Sequence, residues 1–183
     1  VDIKDYDIDF LRKNVAIVLQ DVFLFSDSIY QNITLGDDSI DPKSVREAAK
    51  VVGATGFIER LPDCFDYNVN ERGVMLSMGQ RQLISFIRAY VRDPSILVLD
   101  EATSSIDPES EILISDATMK ITQNRTSLVI AHRLSTIKTA DRIVVMDHGK
   151  VSEEGSHSEL LELNGAYRKL YDIQFKHFDK KAG

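Results

Sequence analysis

The sequence predicts an α/β domain in which a mostly parallel sheet is flanked by helices. Two observations carry that expectation. Residues 15–19 (Val-Ala-Ile-Val-Leu), 96–99 (Ile-Leu-Val-Leu) and 128–131 (Leu-Val-Ile-Ala) are unbroken apolar runs, too short for helices and partly β-branched. Runs of this kind suit strands buried on both faces of a helix-covered parallel sheet. Each run is also closed by polar residues: Gln20, Asp100 with Glu101, and His132. Their recurrence at one end of successive strands is what a parallel sheet with a site along its carboxyl edge produces.

The elements follow in order. Residues 1–9 are acidic and mixed, and residues 10–13 allow a short helical turn before the first strand. Val22-Phe23-Leu24-Phe25 is an aromatic patch, open to core packing or docking, and Ser26-Asp27-Ser28 follows it. Asp41-Pro42 is a helix start, with Asp as N-cap and Pro in the first turn, and the helix runs to about Val52 before Gly53. A second short helix near residues 55–61 ends at Pro62. In residues 77–92 the apolar Leu83, Ile84, Phe86, Ile87, Tyr90 and Val91 recur at helical spacing. Residues 36–92 thus form an all-helical insertion.

After the second strand, Asp107-Pro108 starts another capped helix, with Glu109 and Glu111 in the first turn where the helix dipole favours anions, reaching about Thr122. Residues 142–146 and 150–153 read as strands around an Asp147-His148-Gly149 turn. Ser156 with Glu159 makes a capping box for a helix ending near Asn164-Gly165. A last amphipathic helix spans residues 167–178, its aromatic stripe suited to a core, and runs into a polar tail at 179–183.

Composition narrows the function classes. The 183 residues are 43 % apolar and 28 % charged, which suits one soluble globular domain with its own core. A net charge of −7 argues against a nucleic-acid surface or an anionic-membrane clamp, so an anionic ligand must be held by local devices. The lone cysteine, Cys64, allows no intrachain disulfide, fits a reducing compartment and reads as an ordinary half-buried side chain. No apolar run approaches the roughly 18 residues of a membrane span, and no signal peptide is seen. The opening Val-Asp-Ile-Lys in place of Met leads us to expect a piece of a longer polypeptide.

The candidate chemistry centres on two places. Asp100 and Glu101 stand where open α/β sheets bind ligands; one can hold Mg²⁺ by oxygen ligation while the other takes a proton from water. Ser77 and Gln80 have capping-box spacing, which starts a helix. The same helix N-terminus, with Gly79 admitting a close backbone approach, is able to hold a phosphate.

Leu76-Ser-Met-Gly-Gln80, the run 96–101 and Ser104-Ser105-Ile106-Asp107 resemble, in order and spacing, the signature sequence, Walker B strand and D-loop of ABC-type ATPases. Gln20 and His132 match that family's Q-loop glutamine and H-loop histidine. Met78 departs from the family's usual glycine at a position that varies there, which implies altered local packing rather than lost binding.

The resemblance implies a partial P-loop NTPase (RecA-like) fold. Residues 1–35 and 93–183 would be the catalytic core and residues 36–92 the inserted helical subdomain. It implies ATP and Mg²⁺ as ligands, with Asp100 and Gln20 on the metal and Glu101 as general base. His132 would stabilise the γ-phosphate, and Ser77, Gly79 and Gln80 would contact the ATP of an opposing subunit. Asp107 would link the two sites or serve simply as an N-cap; both roles are compatible.

Glu71-Arg72-Gly73 resembles the exporter branch, whose partners are a transmembrane domain and a second nucleotide-binding domain at the cytoplasmic face of a membrane. None of the nine glycines begins Gly-x-x-x-x-Gly-Lys-Ser/Thr, so the Walker A loop and its lysine are missing and this chain alone is expected to be inactive. Two alternatives stand beside the exporter: a soluble ABC-type ATPase of repair or translation type, and a non-catalytic interaction fragment. The cargo, and whether the partner domain is identical, are not written in the sequence.

Overall fold

The computed structural model describes residues 1–70, 73–100, 107–131 and 133–174. They belong to two compact units, Val1–Ile130 and Ala131–Gly183. The first unit opens with a 3-10 turn (Ile3–Asp5), then α1 (Ile8–Asn14) and β1 (Val15–Val18). A helical stretch follows: α2 (Ile29–Thr34), α3 (Pro42–Val52), α4 (Thr55–Ile58) and α5 (Met78–Tyr90). The unit closes with β2 (Ile96–Asp100), α6 (Pro108–Thr122) and β3 (Thr126–Ile130).

Local chemistry explains most of the boundaries. The Asp41 carboxylate accepts from the N–H groups of Lys43 and Ser44, Pro42 occupies the first turn, and Gly53 at φ +82° closes α3 in the left-handed region. Asp107 caps α6 by accepting from the N–H of Ser110 at 2.9 Å, again with Pro in the first turn. The helix expected over residues 55–61 starts at Thr55 but is shorter, because Arg60 and Leu61 bond back three residues in a 3-10 manner. A helix not anticipated, α2, is started by Ser28, whose Oγ accepts from the N–H of Gln31.

The three strands form a parallel sheet in the order β1-β2-β3, with Val18 opposite Leu99 and Asp100 opposite Ile130. Alternation gives the sheet two unlike faces. Val18, Leu97 and Leu99 are buried in a core with Ile84 and Ile87 of α5 and Ile114, Ala117 and Ile121 of α6. Ala16 and Val129 pack against the same core. On the opposite face Ile17 is 61 % and Leu128 64 % exposed, and Ile96 and Ile130 are exposed as well. Burial on both faces, expected from the unbroken apolar runs, is therefore corrected: only the side that packs on α5 and α6 is buried.

The second unit holds α7 (Leu134–Lys138), β4 (Ile143–Asp147), β5 (Lys150–Gly155), α8 (His157–Glu162) and α9 (Ala166–Gln174). The β4-β5 pair is antiparallel, and its turn places His148 at φ +46° and Gly149 at φ +75°. Two successive positive φ values match the right-handed strand twist of a tight hairpin. The capping box expected at the start of α8 is present, the Ser156 Oγ accepting from the Glu159 N–H and the Glu159 carboxylate from the Ser156 N–H. Glu153 accepts from the N–H groups of Ala166 and Tyr167 and so caps α9. Tyr167 is buried with Val145 and Leu160, as a core residue should be, and its hydroxyl lies 2.6 Å from Nδ1 of His157. The expected continuation of α9 to residue 178 lies outside the described residues. Cys64 is exposed rather than half-buried. No described helix is long and apolar enough to cross a membrane.

Candidate functional site

Asp100 ends β2, and Gln20 lies two residues beyond the end of the neighbouring β1. Val18 of β1 lies opposite Leu99 of β2, so the two strands end at the same edge of the sheet, where Asp100 is the last residue of β2. Asp100 is partly buried and Gln20 exposed. The Asp100 carboxylate at the sheet's carboxyl edge is a hard oxygen donor of the kind that holds Mg²⁺ through one or two protein groups plus waters. Glu101 and His132 lie outside the described residues, as do Ser104, Ser105 and Ile106. Asp107 is exposed at the start of α6, where its carboxylate caps the helix.

The second part of the site is the start of α5. Ser77 is the N-cap, and both halves of the capping box form: the Gln80 N–H donates to Ser77 Oγ at 3.2 Å and the Ser77 N–H donates to Gln80 Oε1 at 2.9 Å. Helical geometry leaves the N–H groups of Met78 and Gly79 without intrahelical acceptors, at the positive end of a 13-residue helix. Ser77 and Met78 are exposed, whereas Gly79 is buried. The helix is anchored by buried Leu83, Ile84, Phe86 and Ile87.

The aromatic patch after Gln20 resolves into an alternation. Leu24 is fully buried, while Phe23 and Phe25 are each more than half exposed and meet edge to face with centroids 5.0 Å apart. Core packing thus belongs to Leu24, and the two rings face solvent. Reading by sequence also passed over Asn32 and Arg88, whose side chains hold this loop. The one available signal was a polar Asn inside the short apolar stretch of α2.

Residues 1–104 match the ABC transporter family. An ATP-dependent lipid A-core flippase of Desulfotalea psychrophila is 52 % identical over 94 % of this chain and 30 % of its own length. An uncharacterized ABC transporter ATP-binding protein of Bacillus subtilis, YknV, is 48 % identical over 96 % of this chain and 29 % of its own length. A solved bacterial Atm1-family ABC exporter with ATP bound superposes with a TM-score of 0.80 at 41 % identity, over 90 % of this chain and 29 % of that one. The chain therefore spans about 30 % of the length of the relatives it matches.

Proposed function

The chain belongs to the ABC transporter family, and on that premise we propose that it is part of the ATP-hydrolysing domain of an exporter. In this reading hydrolysis at a dimer interface drives translocation of a substrate across a membrane. Residues 1–35 and 93–183 belong to the catalytic core and residues 36–92 to the helical subdomain. The partners are a transmembrane domain of the same transporter and a second nucleotide-binding domain, identical or different. The domain works at the cytoplasmic face, and nucleic acid is no partner of so acidic a chain.

The observation that supports the reading is the parallel register that ends β1 and β2 at one carboxyl edge, with Asp100 last in β2, in a chain 52 % identical to a named lipid A-core flippase. Asp100 and Gln20 would hold Mg²⁺, which when bound neutralises charge on phosphate oxygens. Glu101 takes a proton from the attacking water, and His132 donates a hydrogen bond to the γ-phosphate as charge develops there. Ser77, Gln80 and the first-turn N–H groups of Met78 and Gly79 receive the phosphates of ATP bound by the opposing subunit. Asp107 connects the two sites while capping α6.

In the full-length protein Glu101→Gln lowers ATP turnover by about 10²-fold or more, the usual worth of a positioned base, while ATP binding survives. Near-normal turnover would overturn the assignment. This chain alone, with no Gly-x-x-x-x-Gly-Lys-Ser/Thr sequence, is proposed to be inactive. Calorimetric titration with Mg-ATP tests that: saturable binding tighter than about 10 µM contradicts it.

A further inference from the structure

The loop that follows Gln20 is fastened to the rest of its unit at several points, and two of them converge on α5. Asn32 of α2 is fully buried, and its amide grips the loop backbone. Its Oδ1 accepts from the Phe25 N–H at 2.8 Å, while Nδ2 donates to the carbonyls of Phe25 and Ser28 at 3.0 Å and of Asp27 at 3.4 Å. Arg88 of α5 then spans both elements. Its Nε donates to the Asn32 carbonyl at 2.8 Å, and Nη1 and Nη2 reach the Phe23 carbonyl at 3.4 and 3.3 Å. Burial, and secondarily the charge of Arg92, lowers the pKa of Arg88, so this guanidinium is held at a cost that its carbonyl partners must offset.

The same loop is tied to the segment before Ser77. Leu24 packs so closely on Gly73 that a Cβ there would lie 2.8 Å from Leu24 Cδ1, and Gly73 has φ +66°. Arg81 of α5 donates to the carbonyls of Leu76 at 2.8 Å and Gly73 at 3.4 Å. The far end of the loop pairs with residues 67–69, through Ile29 N–H to the Tyr67 carbonyl and Val69 N–H to the Asp27 carbonyl, each 3.0 Å. A load applied to the exposed rings of Phe23 and Phe25 therefore meets α5 through Arg88 and the Ser77 approach through Leu24.

We propose that Asn32 and Arg88 are positioning residues that join loop 23–28 to α5, so that displacement of the Phe23–Phe25 pair carries the Ser77 end of the helix with it as one body. The joint itself rests on the contacts above; its consequence for hydrolysis rests on the phosphate role proposed for Ser77.

Native-state hydrogen exchange on this chain, without nucleotide, tests the joint. In the unaltered protein the Phe25 amide opens together with the α5 amides of Leu83–Ile87. A loop that opens at least about tenfold more readily than the helix overturns the proposal. In Arg88→Lys, which keeps the charge but not the fork, Phe25 exchanges about tenfold or more faster while the α5 amides hold their rates. Unchanged exchange at Phe25, or equal acceleration throughout the unit, contradicts it. The wild-type comparison decides the matter even where the variant does not fold.

In the full-length protein Arg88→Lys lowers kcat for ATP about tenfold with KM unchanged, because the Ser77 helix is engaged after ATP has bound. An unchanged kcat removes the functional consequence and leaves the joint. A wild-type protein that does not hydrolyse ATP removes the proposed function instead.

Discussion

Ser77 combines a structural and a proposed chemical role, and two substitutions separate them. Ser77→Ala removes the acceptor for the Gln80 N–H, a 3.2 Å bond at an exposed position, but leaves the reciprocal bond, because that donor is the backbone N–H of residue 77 itself. Loss of an N-cap costs about 1 kcal/mol, and a long, solvated bond belongs in the lower half of that scale, about 0.5–1 kcal/mol. The buried side of α5 holds the helix in place, so the loss appears as a fall in Tm of roughly 1–4 °C for a domain of this size.

Ser77→Asp replaces one good N-cap by another and adds a negative charge at the positive helix end, so stability stays within about 0.5 kcal/mol of wild type. That carboxylate would stand where the phosphates of ATP are proposed to lie. At about 4 Å and an effective dielectric constant near 20, one unit of like charge costs about 4 kcal/mol, nearly a thousandfold. The assay is thermal unfolding of both variants of this chain beside ATP turnover of both in the full-length protein. Ser77→Asp is expected to be folded and inactive, and Ser77→Ala slightly less stable. A folded Ser77→Asp protein turning over within about threefold of wild type refutes the phosphate role. Loss of stability in Ser77→Asp equal to that in Ser77→Ala refutes the capping argument.

Two further outcomes follow from the same contacts. The pKa of Asp41 is lowered first by the side-chain bond and then the backbone bond from Ser44, and that of Glu159 by the backbone and then side-chain bonds from Ser156. A folded-state pKa below the unfolded value means that each cap contributes fully above about pH 4 and is lost as pH falls through the depressed folded value. The Lys43, Ser44 and Ser156 amides, followed by NMR, should lose their bonded shifts in that acid window, and Asp41→Asn, still a good cap, should abolish the pH dependence at Lys43 and Ser44. The bare sheet face predicts self-association of this chain: Ile17→Lys with Leu128→Lys should raise the monomer fraction in sedimentation without lowering Tm, and an unaltered monomer fraction counts against that face.

What the sequence determined by itself is local. The caps at Asp41, Ser77, Asp107 and Ser156 could be read directly, because a cap joins groups no more than four residues apart and its donors are the orphan N–H groups of the same turn. The hairpin at His148-Gly149 and the three strands with their polar closing residues were legible for the same reason. The candidate site was legible as a set of types and spacings, with Glu101 and His132 known from the sequence alone.

The tertiary structure decided what depends on partners distant in the chain. Residues 15–19 are apolar throughout, so composition could not reveal that Val18 faces α5 and α6 while Ile17 faces solvent; only the helices that cover one side distinguish them. Nor could it tell Leu24 from Phe23 and Phe25, since the larger rings lie outside and the smaller side chain fills the space against Gly73. The short α2 escaped notice because six residues give less than two turns of periodicity, although Ser28 and Gln31 carried its start signal. Arg88 bonds to carbonyls 56 and 65 residues earlier in the chain. A carbonyl is carried by every residue and leaves no mark in the sequence, so only the folded backbone could show which ones that guanidinium would meet.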